Sequence, residues 1–127
     1  MTARSFEEVM AHVQALNVRF AERAPRHDRE GTFAFENVED LRAAGLPRLP
    51  VPVALGGDGF TLFQCVQILR HIARADASTA LGLAMHFHVV GTLAETRAWP
   101  EAAFCLLYTS DAADDLLCVD LGGRRII

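Results

Sequence analysis

Apolar residues recur at helical spacing from the first turn of the chain. Phe6, Val9, Met10, Val13, Leu16 and Phe20 fall on one face of a 3.6-residue period. Ser5, followed three residues later by Glu8, forms a capping box in which hydroxyl and carboxylate satisfy each other's free backbone N–H groups. The pattern predicts a helix that stops near Ala24, because Pro25 disfavours helical geometry in the residue ahead of it. Arg26 to Gly31 then reads as a charged connector. A second, short helix is expected from Phe35 to Ala44, with Leu41 inward and Gly45 as its left-handed cap.

Leu46 to Gly59 carries Pro47, Pro50 and Pro52 together with Gly56, Gly57 and Gly59, a density that predicts an ordered loop. Gly56-Gly57-x-Gly59 has neither the preceding strand nor the Lys-Ser/Thr of a phosphate loop, so it reads as a tight turn requiring positive φ. Thr61 with Gln64 is a second capping box. In the helix it opens, Phe63, Val66, Leu69, Ile72 and Ala73 are expected to face inward, and Arg70 and Arg74 outward. Asp76 or Ser78 caps a fourth helix, Ala80 to about Thr96, that is apolar nearly all round and is therefore expected to be central. Four short helices cannot enclose every side of it, so Leu81, Met85, His88 and Val89 are expected to form an exposed apolar stripe. A last turn lies around Trp99 to Phe104, and no strand-like alternation of useful length occurs. The fold class is all-α, an incomplete helical bundle.

Composition narrows the function. The 127 residues carry a formal net charge of −4, and all twelve basic residues are arginines without a basic stripe, which disfavours nucleic acid as a partner. No uncharged apolar run reaches the roughly 18 to 20 residues of a bilayer span, and the first residues lack an apolar signal core, so a cytoplasmic location is expected. Cys65, Cys105 and Cys118 make neither an even disulfide framework nor a C-x-x-C pair, and Cys65 reads as a buried small hydrophobe.

Composition changes abruptly after Phe104. The segment Cys105 to Ile127 holds two of the three cysteines and the only tyrosine, and continues no helical period. It resembles translated read-through of a transposase sequencing adapter: Cys105 to Asp114 and Cys118 to Ile127 back-translate to its two parts in one frame, with room between them for a short index. Residues 1–104 are thus expected to be the authentic domain, residues 105–127 a non-native tail, and the natural chain to continue past Phe104.

Three blocks in order resemble the N-terminal helical domain of the acyl-CoA dehydrogenase family over about residues 5–104. They are Asp28-Arg-Glu-Gly-Thr-Phe-Ala-Phe35 with Leu41-Arg-Ala-Ala-Gly-Leu46, then Val51-Pro-Val-Ala-Leu-Gly-Gly-Asp-Gly-Phe60, then Ile72-Ala-Arg-Ala-Asp-Ala-Ser-Thr-Ala80 with Met85-His86 downstream. Ala34 stands where the family usually has proline, and Val53 and Ala54 replace an acidic pair. The run Met85-His-Phe-His88 looks more like the flavin monooxygenase branch of the same superfamily.

The resemblance implies that the parent enzyme is FAD-dependent and oxidises acyl-CoA to 2,3-enoyl-CoA. It also implies an electron-transfer acceptor and a homo-oligomeric full-length protein. The proton-abstracting glutamate lies in the family's C-terminal helical domain, and the flavin is held mainly by its middle β-domain. No catalytic residue is therefore expected in this fragment, which alone should be inactive. Leu81, Met85, His88 and Val89 are the implied substrate-pocket wall. In the monooxygenase alternative, with FMN as cofactor, His86 or His88 would act as acid or base near the flavin. A spacing of two sets these histidines about 200° apart, so they cannot share a metal from one helix face. An alternative of another class is a helical binding module without chemistry.

If residues 105–127 are foreign to the fold, deleting them leaves thermal stability unchanged or raises it. A loss above about 2 kcal/mol, the scale of one buried apolar side chain, measured by urea denaturation of the truncated chain, would show that the tail is native.

Overall fold

A computed structural model describes residues 2–100 together with 102 and 103. The expected tail, 105–127, lies outside the described residues. Four helices follow in order: α1 (Phe6–Glu30), α2 (Phe35–Ala43), α3 (Leu62–Ala75) and α4 (Ala77–Thr96), with two short 3-10 turns, Leu46–Arg48 and Val53–Leu55, between α2 and α3. No strand occurs among the described residues. The arrangement is the all-α bundle that the periodicity predicts.

Helix α3 is the middle of the stack, packing against α1 on one side and α4 on the other. Val9, Val13 and Phe20 of α1 meet Ile68 and Ile72 of α3 and Leu83 of α4 in one core, which also takes in Leu41 of α2 and Leu46 and Leu49 of the loop. Seven of these nine side chains are wholly shielded from solvent. Each contributes on the order of 1.5–3 kcal/mol through the apolar surface removed from water. Both capping boxes are formed: Ser5 N–H donates to Glu8 Oε2 at 2.7 Å and Glu8 N–H to Ser5 Oγ at 3.1 Å. At α3, Thr61 N–H donates to Gln64 Oε1 at 2.9 Å and Gln64 N–H to Thr61 Oγ1 at 3.2 Å.

Two local expectations are corrected. Helix α1 does not stop before Pro25 but runs through it to Glu30, so Arg26 to Glu30 is helix rather than connector. An interior proline costs a helix about 3 kcal/mol, and several contacts made beyond it offset that cost. Gly31 caps the helix at φ 64° with its N–H on the His27 carbonyl. Arg26 and His27 both pair with Glu36 of α2. The inward face of α3 is also rotated from the one expected. Cys65, Ile68 and Ile72 are buried, whereas Phe63, Val66 and Ala73 are exposed. The helix is apolar on more than one side, and the simultaneous fit against α1 and α4 selects the Cys65–Ile68–Ile72 stripe.

The loop between α2 and α3 is held by backbone hydrogen bonds and one buried ion pair. Gly45, Gly56 and Gly59 adopt left-handed φ of 68°, 90° and 65°. Gly57 is required for a different reason: a Cβ there would sit 2.1 Å from the Val51 carbonyl oxygen. Asp58, fully buried at its carboxylate, takes Arg4 N–H at 3.0 Å, the Arg4 guanidinium at 2.7 Å and Arg48 Nε at 3.3 Å. Arg4 also donates to the carbonyls of Ala44 (2.6 Å) and Gly45 (2.9 Å), closing the end of α2 onto the loop. Burial would raise the Asp58 pKa, but the hydrogen bonds from Arg4 and the charges of Arg4 and Arg48 outweigh it and hold the carboxyl below its ordinary value.

Two outcomes follow. In Gly57→Ala the Cβ meets backbone rather than a yielding side chain, so the loop must shift; urea denaturation should show a loss of about 2 kcal/mol or more. Asp58 has a depressed folded pKa, so its contribution is present above the unfolded value and lost as pH falls through the folded one. Stability measured by denaturant at pH values falling below about 4 should therefore drop more steeply in the parent chain than in Asp58→Asn. Equal slopes would show that the clamp carries no pH-linked stability.

Candidate functional site

The site is built on α4, which begins without a loop. Asp76 is at once the last cap of α3 and the first of α4, in extended geometry with φ −155° and ψ 104°. Its carboxylate accepts Ser78 N–H at 3.1 Å and the Thr79 hydroxyl at 2.7 Å. Asn37, fully buried on α2, donates to both Asp76 (3.1 Å) and Thr79 (2.9 Å) and accepts from Arg23 of α1 at 2.8 Å. Arg23 also reaches Asp40 at 2.7 Å. Three helices are thereby pinned to the first turn of α4 by a connected set of hydrogen bonds, most of them charge-assisted through Asp76, Arg23 or Asp40 and so of the stronger kind.

Further along, His86 is 4% exposed, and its Nε2 lies 2.9 Å from the Pro47 carbonyl oxygen, so Nε2 carries the proton. With Thr79, Ala80, Leu83, Phe87 and Val90 it makes the inner face of α4. The opposite face is apolar and open. Leu81 is 64% exposed, Met85 58% and Val89 37%, and His88 stands exposed among them. Contrary to the expectation that no uncharged apolar run is long enough to span a bilayer, α4 is, among the described residues, long and apolar enough to cross a membrane. Its polar anchors at Thr79 and His86 instead mark it as a helix with one face in a protein core and the other turned outward.

The structure therefore separates the two histidines singled out by sequence. His86 is turned into the core and held to the loop, while His88 shares the outer stripe with Leu81, Met85 and Val89. Beside this stripe, between α3 and α4, lies a groove of about 310 Å³ whose walls include Phe60, Cys65, Leu69, Ala84, Phe87 and His88. Burial pushes the Cys65 thiol up to about 11, so it stays protonated and behaves as a small hydrophobe. Among the described residues no cluster of three His, Cys, Asp or Glu side chains is placed to hold a metal ion.

The residues present do not fit a dinucleotide cradle. In the glycine loop, Gly56 N–H donates to Val53, Gly57 N–H to Pro52 and Gly59 N–H to Val51. These are the backbone donors that a phosphate would need, and they are spent on the turn itself. What the outer face of α4 offers is apolar surface with one imidazole.

Asn37, Arg23, Arg4 and Asp58 carry the geometry of the region, yet sequence reasoning assigned none of them a role. A polar Asn four residues before the inward Leu41 of α2 was the one signal available for the first pair. For Arg4 and Asp58 nothing local announces the pairing, because their partners lie 54 residues apart.

Comparison with known proteins agrees with this architecture. The family described as "Acyl-CoA dehydrogenase, N-terminal domain" matches residues 6–97. A protein of Bacillus subtilis (strain 168) named "Putative acyl-CoA dehydrogenase YdbM" is 34% identical over 88 residues, covering 69% of this chain and 23% of that relative. The chain thus spans about a quarter of the length of the curated relative it matches. From the matched residues and the helical architecture together, the chain belongs to the acyl-CoA dehydrogenase family and carries its N-terminal domain.

Proposed function

We propose that this chain is part of an FAD-dependent acyl-CoA dehydrogenase that oxidises an acyl-CoA thioester to the 2,3-enoyl-CoA and passes the electrons to a separate acceptor. Its own contribution is a wall of the pocket for the acyl chain, formed by Leu81, Met85, His88 and Val89. The observation that carries this reading is the two-sidedness of α4: one face is anchored by hydrogen bonds in the core, and the opposite face is apolar and uncovered. Contiguous exposed apolar surface of this kind marks a binding or domain interface.

The chemistry of the flavin, hydride acceptance from the substrate, is supplied where the cofactor is bound. The backbone donors of the glycine loop are already used within the turn, so they are not free to hold the cofactor. The wall orients the chain and excludes water, which raises the effective concentration of the reacting carbons at the catalytic groups. A piece of the enzyme limited to residues 1–104 lacks both the flavin-holding residues and the carboxylate base implied by the family, and is inactive alone.

One observation favours a second reading. His88, the imidazole on the outer stripe, stands where it can exchange a proton with a molecule lying on that face. In that reading the parent is a related flavin monooxygenase using FMN, and His88 rather than the inward His86 is the acid or base.

Three measurements test these readings. The purified 127-residue chain should show no flavin absorbance, and a stable yellow colour would contradict the assignment of cofactor contacts to other domains. In the intact enzyme, Met85→Trp should raise KM for long acyl-CoA substrates by about tenfold and leave short ones nearly unchanged. An equal response at both lengths would remove Met85 from the wall. His88→Gln should leave the pH profile of kcat unchanged in a dehydrogenase, whereas loss of one limb would favour the monooxygenase.

A further inference from the structure

A second cavity, about 660 Å³, opens at the end of the bundle where the C-terminal part of α1, the start of α2 and the first turns of α4 meet. Its volume falls in the range of small-molecule sites. None of Leu81, Met85, His88 and Val89 lines it, so it is separate from the outer stripe of α4. Val38, Leu41 and Leu83 make an apolar floor. Phe33 stands in the wall, 52% exposed, its ring in edge-to-face contact with Phe35 at 4.7 Å between centroids.

The charge of the wall is one-sided. Asp28 and Asp76 line the cavity, and the lining includes no arginine. The Asp28 carboxylate has no partner among the described residues. Asp76 accepts three hydrogen bonds, all from neutral groups: the Ser78 N–H, the Thr79 hydroxyl and the Asn37 amide. Its Oδ1 takes only the first of these, so that oxygen can accept a further donor. The cations nearby are committed elsewhere. Arg23 pairs with Asp40 and Arg26 with Glu36. His27 meets Thr32 through Nδ1 at 2.7 Å and Glu36 through Nε2 at 3.1 Å. The helix ends add to the same sign. Helix α1 finishes at the cavity, where the negative end of its dipole favours a cation, while the positive ends of α2 and α4 already face Glu36 and Asp76.

An entering anion would meet two carboxylates that no cation neutralises. A neutral apolar molecule would cover the floor and leave those charges as they are. An ammonium on an apolar body gains both contributions: charge-assisted hydrogen bonds at the carboxylates and burial of its body on the floor. The Phe33 ring adds a cation–π partner.

We infer that this cavity binds a small organic cation, a primary ammonium on an aromatic or short alkyl body, with Asp28 and Asp76 receiving the charge. The inference is independent of the reading of α4 as the chain wall.

The test titrates the 127-residue chain with 2-phenylethylammonium and, separately, with its neutral counterpart 2-phenylethanol, following amide chemical shifts. The ammonium should move the resonances of Ala34, Ser78 and Gly82 in one saturable transition, and the alcohol should bind at least about tenfold more weakly. Asp28→Asn, at an exposed position, should keep the fold and lose about tenfold in affinity for the ammonium while leaving the alcohol unaffected. Phe33→Leu should weaken the ammonium several-fold. Equal binding of ammonium and alcohol, shifts confined to Leu81–Val89, or an Asp28→Asn chain that binds the ammonium as the parent does would each overturn the assignment. The comparison of the two probes on the parent chain decides the question even if a variant does not fold. None of these outcomes bears on the chain-length response of the intact enzyme to Met85→Trp, so wall and cavity fail independently.

Discussion

The outer face of α4 is set by one carboxylate. Asp76 ends α3, starts α4 and gathers the Ser78 N–H, the Thr79 hydroxyl and the Asn37 amide within 3.1 Å. With no loop between the two helices, the direction and rotation of α4 are fixed at its first turn. Arg23 and Asn37 carry that constraint to α1 and α2. Half a turn's difference in rotation would bury Met85 and expose Phe87, which lie about 200° apart around the helix. The polar anchors thus decide which apolar residues the bundle keeps and which it presents.

A helix apolar on all sides is unusual in so small a bundle, and its two faces answer different demands. The inner face contributes to folding through Leu83, Phe87 and Val90. The outer face leaves Leu81, Met85 and Val89 in water, an unfavourable arrangement unless something covers them. The chain spans 23% of the length of its curated relative, and under the proposed function that cover is the acyl chain of the substrate together with further parts of the enzyme. The loop before α3 serves the same end from behind. The Asp58–Arg4 clamp and the Pro47 contact of His86 hold it against the back of α4.

Much of the fold was legible in the sequence because its signals are local. The Ser5–Glu8 and Thr61–Gln64 boxes, the Gly45 cap and the Pro/Gly density of residues 46–59 each involve neighbours a few residues apart, and all appear in the structure. What could not be read depends on distant partners. Pro25 lies within α1 where a stop was expected, with Arg26 and His27 beyond it tied to Glu36 and Gly31 capping the end. The rotation of α3 follows from contact with two helices at once, which a helix apolar on more than one side does not disclose. The exposed stripe on α4 followed from counting how much apolar surface four helices can cover. The separate environments of His86 and His88 follow from helical geometry once the inner face is known.

The central claim is that an acyl chain lies along the outer face of α4. Photo-crosslinking tests it most directly: the intact enzyme is irradiated with an acyl-CoA carrying a diazirine on its chain, and the adducts are mapped by peptide mass spectrometry. The account predicts adducts within Leu81 to Val89, competed away by unlabelled acyl-CoA. Adducts confined to peptides outside α4, with the helix unlabelled at every diazirine position, would contradict it.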